Sequence, residues 1–106
     1  MAEKELNSRS DLEKMIRDGV TLVDFNAPWC APCRAQEPVL LALDERYNGR
    51  ANIAKMNIDE NGDVALNLGI QSIPTLVIFK DGREVGRLVG LQKAETLYRV
   101  LDQALT

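Results

Sequence analysis

Val20-Thr21-Leu22-Val23-Asp24-Phe25, followed after a turn at Ala27-Pro28 by Trp29-Cys30-Ala31-Pro32-Cys33, is the stretch that decides the fold. The first six residues are β-branched or apolar on both faces, the pattern of a strand buried inside a parallel sheet, with Asp24 the one exception. Pro32 falls where the first turn of a helix tolerates it, and Val39, Leu40, Leu43 and Tyr47 then repeat at helical spacing up to Gly49. Asn52 to Ile58 reads as the next strand, so the crossover is long enough for a parallel, right-handed connection. Pro38 lies inside the crossover helix and removes the bond to the Arg34 carbonyl, at about 3 kcal/mol in a regular helix. The spacing therefore predicts a kink there, or a helix that restarts after Glu37.

Outward from this unit, Ser10-Asp11-Leu12-Glu13 reads as a capping box opening a first helix, with Leu12, Met15 and Ile16 on one face until Gly19. On the other side, a small helix from Asp63 to Leu68 ends at Gly69. Thr75 to Lys80 and Arg83 to Val89 flank Asp81-Gly82, the dipeptide suited to a two-residue hairpin turn because both positions want positive φ. Lys93 to Leu105 carries Leu97, Val100, Leu101 and Ala104 as an amphipathic stripe and closes the chain as a helix on the sheet. With no internal repeat and no linker, residues 1–106 are expected to form one α/β domain.

The composition narrows the chemistry. In 106 residues, 45% hydrophobic and 27% charged, there is room for one ordinary core and no signature of disorder. Thirteen Lys and Arg against sixteen Asp and Glu, scattered along the chain, form no basic face for a phosphate backbone, so nucleic acid is not expected as a partner. The absence of histidine removes imidazole bases and histidine metal ligands together. The longest apolar run, Val39 to Leu43, is far short of a membrane span, and Met1-Ala2-Glu3-Lys4-Glu5 is charged; a cytoplasmic location with no membrane partner is the expectation.

What remains is the thiol pair. C-x-x-C between a buried strand and the following helix is a redox motif by context. Cys30 falls at the helix start, where free N–H groups and the macrodipole favour thiolate over thiol, which marks it as the nucleophile. Cys33, three residues on along the same helical face and one turn deeper, is expected to be less exposed and to resolve the intermediate. Two other readings stand beside this one. A structural disulfide closing so short a loop would constrain the unfolded chain by only about 2 kcal/mol. A closed zinc site needs four ligands, so metal binding would require two chains, each donating Cys30 and Cys33.

W-C-A-P-C after V-D-F, then K-M-N-I-D, then I-P-T-L-V-I-F-K-D-G and V-G, resemble in order and spacing the thioredoxin family over nearly the whole chain. The resemblance implies a three-layer α/β fold, a central mixed sheet in order 1-3-2-4-5 with helices on both faces and a short first strand before Asn7. It implies a thiol-disulfide oxidoreductase, a protein-disulfide reductase working by reversible Cys30–Cys33 exchange through a mixed disulfide, with no bound cofactor. Its partners would be disulfide-containing proteins and a thioredoxin reductase, a flavoprotein drawing on NADPH, and the chain would be a monomer.

Residue by residue, the resemblance makes Asp24 the buried carboxylate that takes the resolving thiol's proton through water, against a loop-capping aspartate at a strand end. Lys55 resembles the lysine that modulates that carboxylate, against an ordinary solvated lysine. Ile73-Pro74 resembles a cis-proline turn whose backbone can pair with an extended substrate strand. Trp29, Ile73, Pro74, Val89, Gly90 and Leu91 would form a flat apolar substrate rim around Cys30, with Ala31 and Pro32 between the cysteines; read alone, Trp29 is a core tryptophan. The chain departs from the family pattern at Asn26, where an aromatic is common, at Ala31, at Arg34 and at Leu91. Of these, Asn26 bears most on the hydrogen bonding under the active-site loop.

Overall fold

A computed structural model describes residues 4–106. The chain runs β1 (Lys4–Leu6), α1 (Arg9–Ile16), β2 (Val20–Asn26), α2 (Ala31–Arg46), β3 (Ala51–Asn57), α3 (Gly62–Leu68), β4 (Thr75–Lys80), β5 (Arg83–Val89) and α4 (Ala94–Ala104). The sheet order is β1-β3-β2-β4-β5, as expected. β3 pairs in parallel with β1 and β2, whereas β4 lies antiparallel to both β2 and β5. β2 is therefore central, and its first six residues are all buried.

Side-chain alternation along these strands sorts the core into two layers. Val20, Leu22, Ile53, Leu76 and Ile78 pack on one face with Leu40, Leu43 and Tyr47 of the α2 region and Leu97 and Leu101 of α4. Val23, Phe25, Ala54, Met56, Val77 and Phe79 fill the other face with Leu12 of α1 and Val64 of α3. By the same alternation Asp24 and Lys55 project from the face that α2 and α4 cover.

The hairpin forms at Asp81-Gly82 with φ of 51° and 87°, the left-handed conformations the dipeptide favours. Asp81 also ties the turn to the start of β2. Its carboxylate accepts the Gly19 N–H at 2.8 Å, and its own N–H donates to the Gly19 carbonyl at 2.9 Å.

One local expectation is corrected and one alternative is set aside. The first helix is capped by Ser8, not Ser10: Ser8 Oγ accepts the Asp11 N–H at 3.0 Å, and the Asp11 carboxylate accepts the Asn7 N–H at 2.9 Å. Ser8 precedes Asp11 by the same three-residue spacing as Ser10 precedes Glu13, and the earlier pair also closes the turn out of β1. Second, α2 runs without a break through Pro38. The restart after Glu37 does not occur, because Leu40 and Leu43 are fully buried on the same stripe as Cys33 and hold the second half in register with the first.

Candidate active site

β2 delivers the chain to the site and α2 begins it. After Asn26, the Cys30 N–H closes a turn onto the Ala27 carbonyl at 3.2 Å, and the Arg34 side chain fastens the loop by donating to the Pro28 carbonyl at 2.9 Å. Cys30 is the N-cap of α2, in extended backbone, and its carbonyl accepts the first helical bond from Arg34 at 3.1 Å. Pro32 has no N–H to offer in the first turn. The Cys33 N–H is free to point back, and it donates to Cys30 Sγ at 3.2 Å.

That bond, with the helix macrodipole behind it, favours negative charge on Cys30 sulfur once the bridge is open. In the structure the two cysteines are joined by a disulfide with Cα atoms 5.2 Å apart. Both are buried, Cys30 at 5% exposed and Cys33 at 4%, so the expected difference in depth is absent in the bridged form. What separates them is position: Cys30 receives the helix N–H, while Cys33 opens onto a different space.

That space is a crevice of about 570 Å³ on the α2 side, with Cys33, Asn26, Glu37 and Lys55 among its walls. Asp24, two residues before Asn26 on β2, is fully buried. Its position in the strand interior sets aside the loop-capping reading. The Asn26 amide donates to the Asp24 carbonyl at 3.2 Å and reaches the carboxylate at 3.5 Å. Lys55 is the register partner of Asp24 on β3, and its ammonium pairs with Glu37 at 3.0 Å and Glu5 at 3.9 Å. It is half-buried among charges, not a lone solvated lysine.

On the opposite side of the bridge, the Ile73-Pro74 peptide is cis, and the Ile73 carbonyl oxygen lies 3.8 Å from Cys30 Sγ. Gly90 donates its N–H to the Pro74 carbonyl at 2.7 Å, which brings the end of β5 against this turn. Trp29 (67% exposed), Val89 (59%) and Leu91 (53%) then stand out as exposed large apolar side chains around the bridge, with Ala31 and Pro32 exposed between them. The core reading of Trp29 is overturned: the indole N–H donates to Asp59 at 2.9 Å, which holds the ring at the surface. Pro74 is buried and Ile73 half-buried, so neither shares the exposure of Trp29, Val89 and Leu91.

Glu37 borders the crevice, Asp59 holds Trp29 and Gln36 pairs with Gln92; sequence reasoning singles out none of the three. Gln36 has a readable signal, being a polar residue at the helical spacing that joins Cys33 to Leu40 and Leu43; Asp59 has none, because its role depends on Trp29 thirty residues earlier.

The thioredoxin family model matches residues 3–103. Over 96 residues the chain is 48% identical to a thioredoxin of Staphylococcus epidermidis, covering 91% of this chain and 92% of that one, and 46% identical with the same coverage to one of Staphylococcus aureus. Among solved structures it superposes on a mutant thioredoxin from Halobacterium salinarum with a TM-score of 0.92 at 34% identity, covering 99% of this chain and 92% of that one. The corresponding figures for Fasciola hepatica thioredoxin are 0.87 and 33%, with 95% and 98% covered. A disulfide at the start of α2, on a sheet of this order and within sequences this similar, leads to one assignment: the chain belongs to the thioredoxin family and is a thiol-disulfide oxidoreductase whose redox-active group is the Cys30–Cys33 pair.

Proposed function

We propose that the chain acts as a dithiol reductant of protein disulfides, with Cys30 as nucleophile and Cys33 as resolving thiol. The observation that carries this reading is the Cys33 N–H held 3.2 Å from Cys30 Sγ at the helix start, a contact that favours the Cys30 thiolate once the bridge is open. The Cys30 thiolate attacks one sulfur of the substrate disulfide; that S–S bond breaks, one substrate thiolate leaves and a mixed disulfide forms. Cys33 then loses its proton toward Asp24 by way of the crevice it borders and attacks Cys30 Sγ. The second substrate thiolate departs, and the chain is left oxidised by two electrons.

Lys55 modulates Asp24 from the neighbouring strand. Trp29, Ala31, Pro32, Val89, Gly90 and Leu91 receive the substrate, over the Ile73-Pro74 turn. In this reading residues 1–106 work as a single domain, monomeric and cytoplasmic, and a thioredoxin reductase, a flavoprotein using NADPH, returns the bridge to the dithiol. No helix among the described residues is long and apolar enough to cross a membrane, which is compatible with that location.

Trapping tests the division of labour. Cys33→Ser should accumulate a mixed disulfide between Cys30 and a disulfide-containing protein such as insulin, visible by non-reducing electrophoresis and mass spectrometry, and Cys30→Ser should be inert. A mixed disulfide through Cys33 in the Cys30→Ser protein would reverse the roles.

A further inference from the structure

Gln36 lies one turn after Cys33 on the buried stripe of α2 and has no exposed surface. An amide in such a place is unfavourable unless every polar atom is satisfied, whereas a leucine would be buried without penalty. Both of its polar atoms are used on the backbone of a single residue. Gln36 Nε2 donates to the Gln92 carbonyl at 3.0 Å, and Gln36 Oε1 accepts the Gln92 N–H at 2.8 Å. The pairing fixes distance and orientation together, and a backbone N–H on one side with a carbonyl on the other settles which way the amide faces.

Gln92 belongs to the loop between β5 and α4. Its own side-chain amide turns back and donates to the Val89 and Gly90 carbonyls, each at 3.1 Å. On its other flank this loop is fastened by the Gly90 N–H on the Pro74 carbonyl. The segment that displays Val89 and Leu91 therefore hangs between two anchors. One is the turn whose Ile73 carbonyl approaches Cys30; the other is Gln36, on the helix that carries Cys33.

We propose that Gln36 is a positioning residue that, through the backbone of Gln92, sets the Val89–Leu91 wall against the reactive bridge and so governs selection of protein disulfides over small ones. Apolar packing at this point would let the loop slide by fractions of an ångström; two directional bonds do not. Protein substrates, which must lie on the wall while Cys30 attacks, depend on its placement, and a small disulfide that touches only the sulfur does not. This inference rests on the rim being the substrate face.

The test uses pre-reduced protein in single-turnover reactions with insulin and with hydroxyethyl disulfide, and three variants. Gln36→Met keeps the side-chain length and removes both bonds; Gln92→Ala removes the loop's internal bonds from a solvent-accessible position and serves if Gln36→Met does not fold; Leu91→Glu alters the wall directly. For Gln36→Met and Gln92→Ala, the ratio of the insulin rate constant to the hydroxyethyl disulfide rate constant should fall about fivefold to tenfold, through a raised half-saturation concentration for insulin and not a lowered maximal rate. Amide exchange at Gln92 should accelerate at least about tenfold in Gln36→Met. Faster Gln92 exchange with an unaltered ratio, while Leu91→Glu lowers it, would leave Gln36 a purely structural residue and overturn the inference. An unaltered ratio in all three variants would instead remove the rim itself as the substrate face, and an equal loss on both disulfides would place the effect at the thiols.

Discussion

Asp24 and Lys55 are register partners across the parallel β2–β3 pair and project from the same face of the sheet, the carboxyl fully buried and the ammonium extended toward Glu37 on α2. The buried acid thus sits one strand away from a cation. Full burial disfavours the charged carboxylate. The Lys55 charge on the neighbouring strand and the long contact from the Asn26 amide favour the charged form instead. A role as proton acceptor requires that desolvation prevail over these contacts. This is the condition under which it can take a proton from a thiol.

Asp24→Asn should accordingly stabilise the oxidised fold at pH 7 to 8, on the order of 2 kcal/mol or more, while slowing the second step of reduction. Under that condition the native protein holds a proton that the unfolded chain has released, so the contribution of Asp24 to stability falls as pH rises above about 4. The variant lacks that fall. Urea midpoints from pH 4 to 8 and single-turnover resolution of a Cys30 mixed disulfide measure the two effects, which must have opposite signs. A variant less stable at every pH, or one that resolves at the parental rate, would remove Asp24 from the proton path.

Lys55→Met separates electrostatics from packing at the same place, because it keeps the stem and removes the charge. Without the cation the Asp24 carboxylate is harder to form, so it holds its proton to higher pH. The pH profile for mixed-disulfide resolution should move upward. Glu37 and Glu5 lose their partner as well, yet both are partly solvated, so the stability change should stay within about 1 kcal/mol. A profile that does not move would return Lys55 to the role of a surface ion-pair residue.

Much of this arrangement is legible in the chain. The C-x-x-C pair lies between a continuous apolar strand and a helical stripe, and Asp81-Gly82 between alternating runs; those are local signals, and each forms where the residues place it. Trp29 is misread from its residue type because the hydrogen bond that holds it outward comes from Asp59 on another loop. The helix start moves to Ser8 because two Ser-x-x-acid pairs overlap and the choice between them depends on the turn from β1. Gln36 is easily passed over although it falls on the stripe of Cys33, Leu40 and Leu43. Its meaning lies in the backbone of Gln92, fifty-six residues away.

Trp29→Ala distinguishes a rim tryptophan from a structural one. The ring is 67% exposed, so the substitution should change the urea midpoint by no more than corresponds to about 0.5 kcal/mol. Insulin reduction should nonetheless slow about tenfold or more, since a rigid apolar ring beside the attacking sulfur is the kind of group that carries binding energy. A large stability loss with normal activity in the folded fraction would make the Trp29–Asp59 bond a structural tie only.

Tyr47 offers a test far from the cysteines. Its ring is fully buried at the end of α2, and its hydroxyl donates to the Asp102 carboxylate of α4 at 2.7 Å. Burial, followed by that hydrogen bond, pushes its pKa above the usual tyrosine value. Below about pH 10 both folded and unfolded chains keep the phenol protonated, and the hydroxyl contributes a constant amount. Above about 10 the unfolded chain releases the proton first, so stability falls as pH rises toward the folded-state value. Tyr47→Phe should cost about 1 kcal/mol at pH 7, and its disadvantage should shrink between about pH 10 and 11.5, because the variant has no phenol to ionise. Lysine titration affects both proteins alike and cancels in the difference. Paired urea melts of the oxidised proteins followed by circular dichroism read this out, and a disadvantage that stays constant to the alkaline end of that range would show that the hydroxyl is not the source of the alkaline loss.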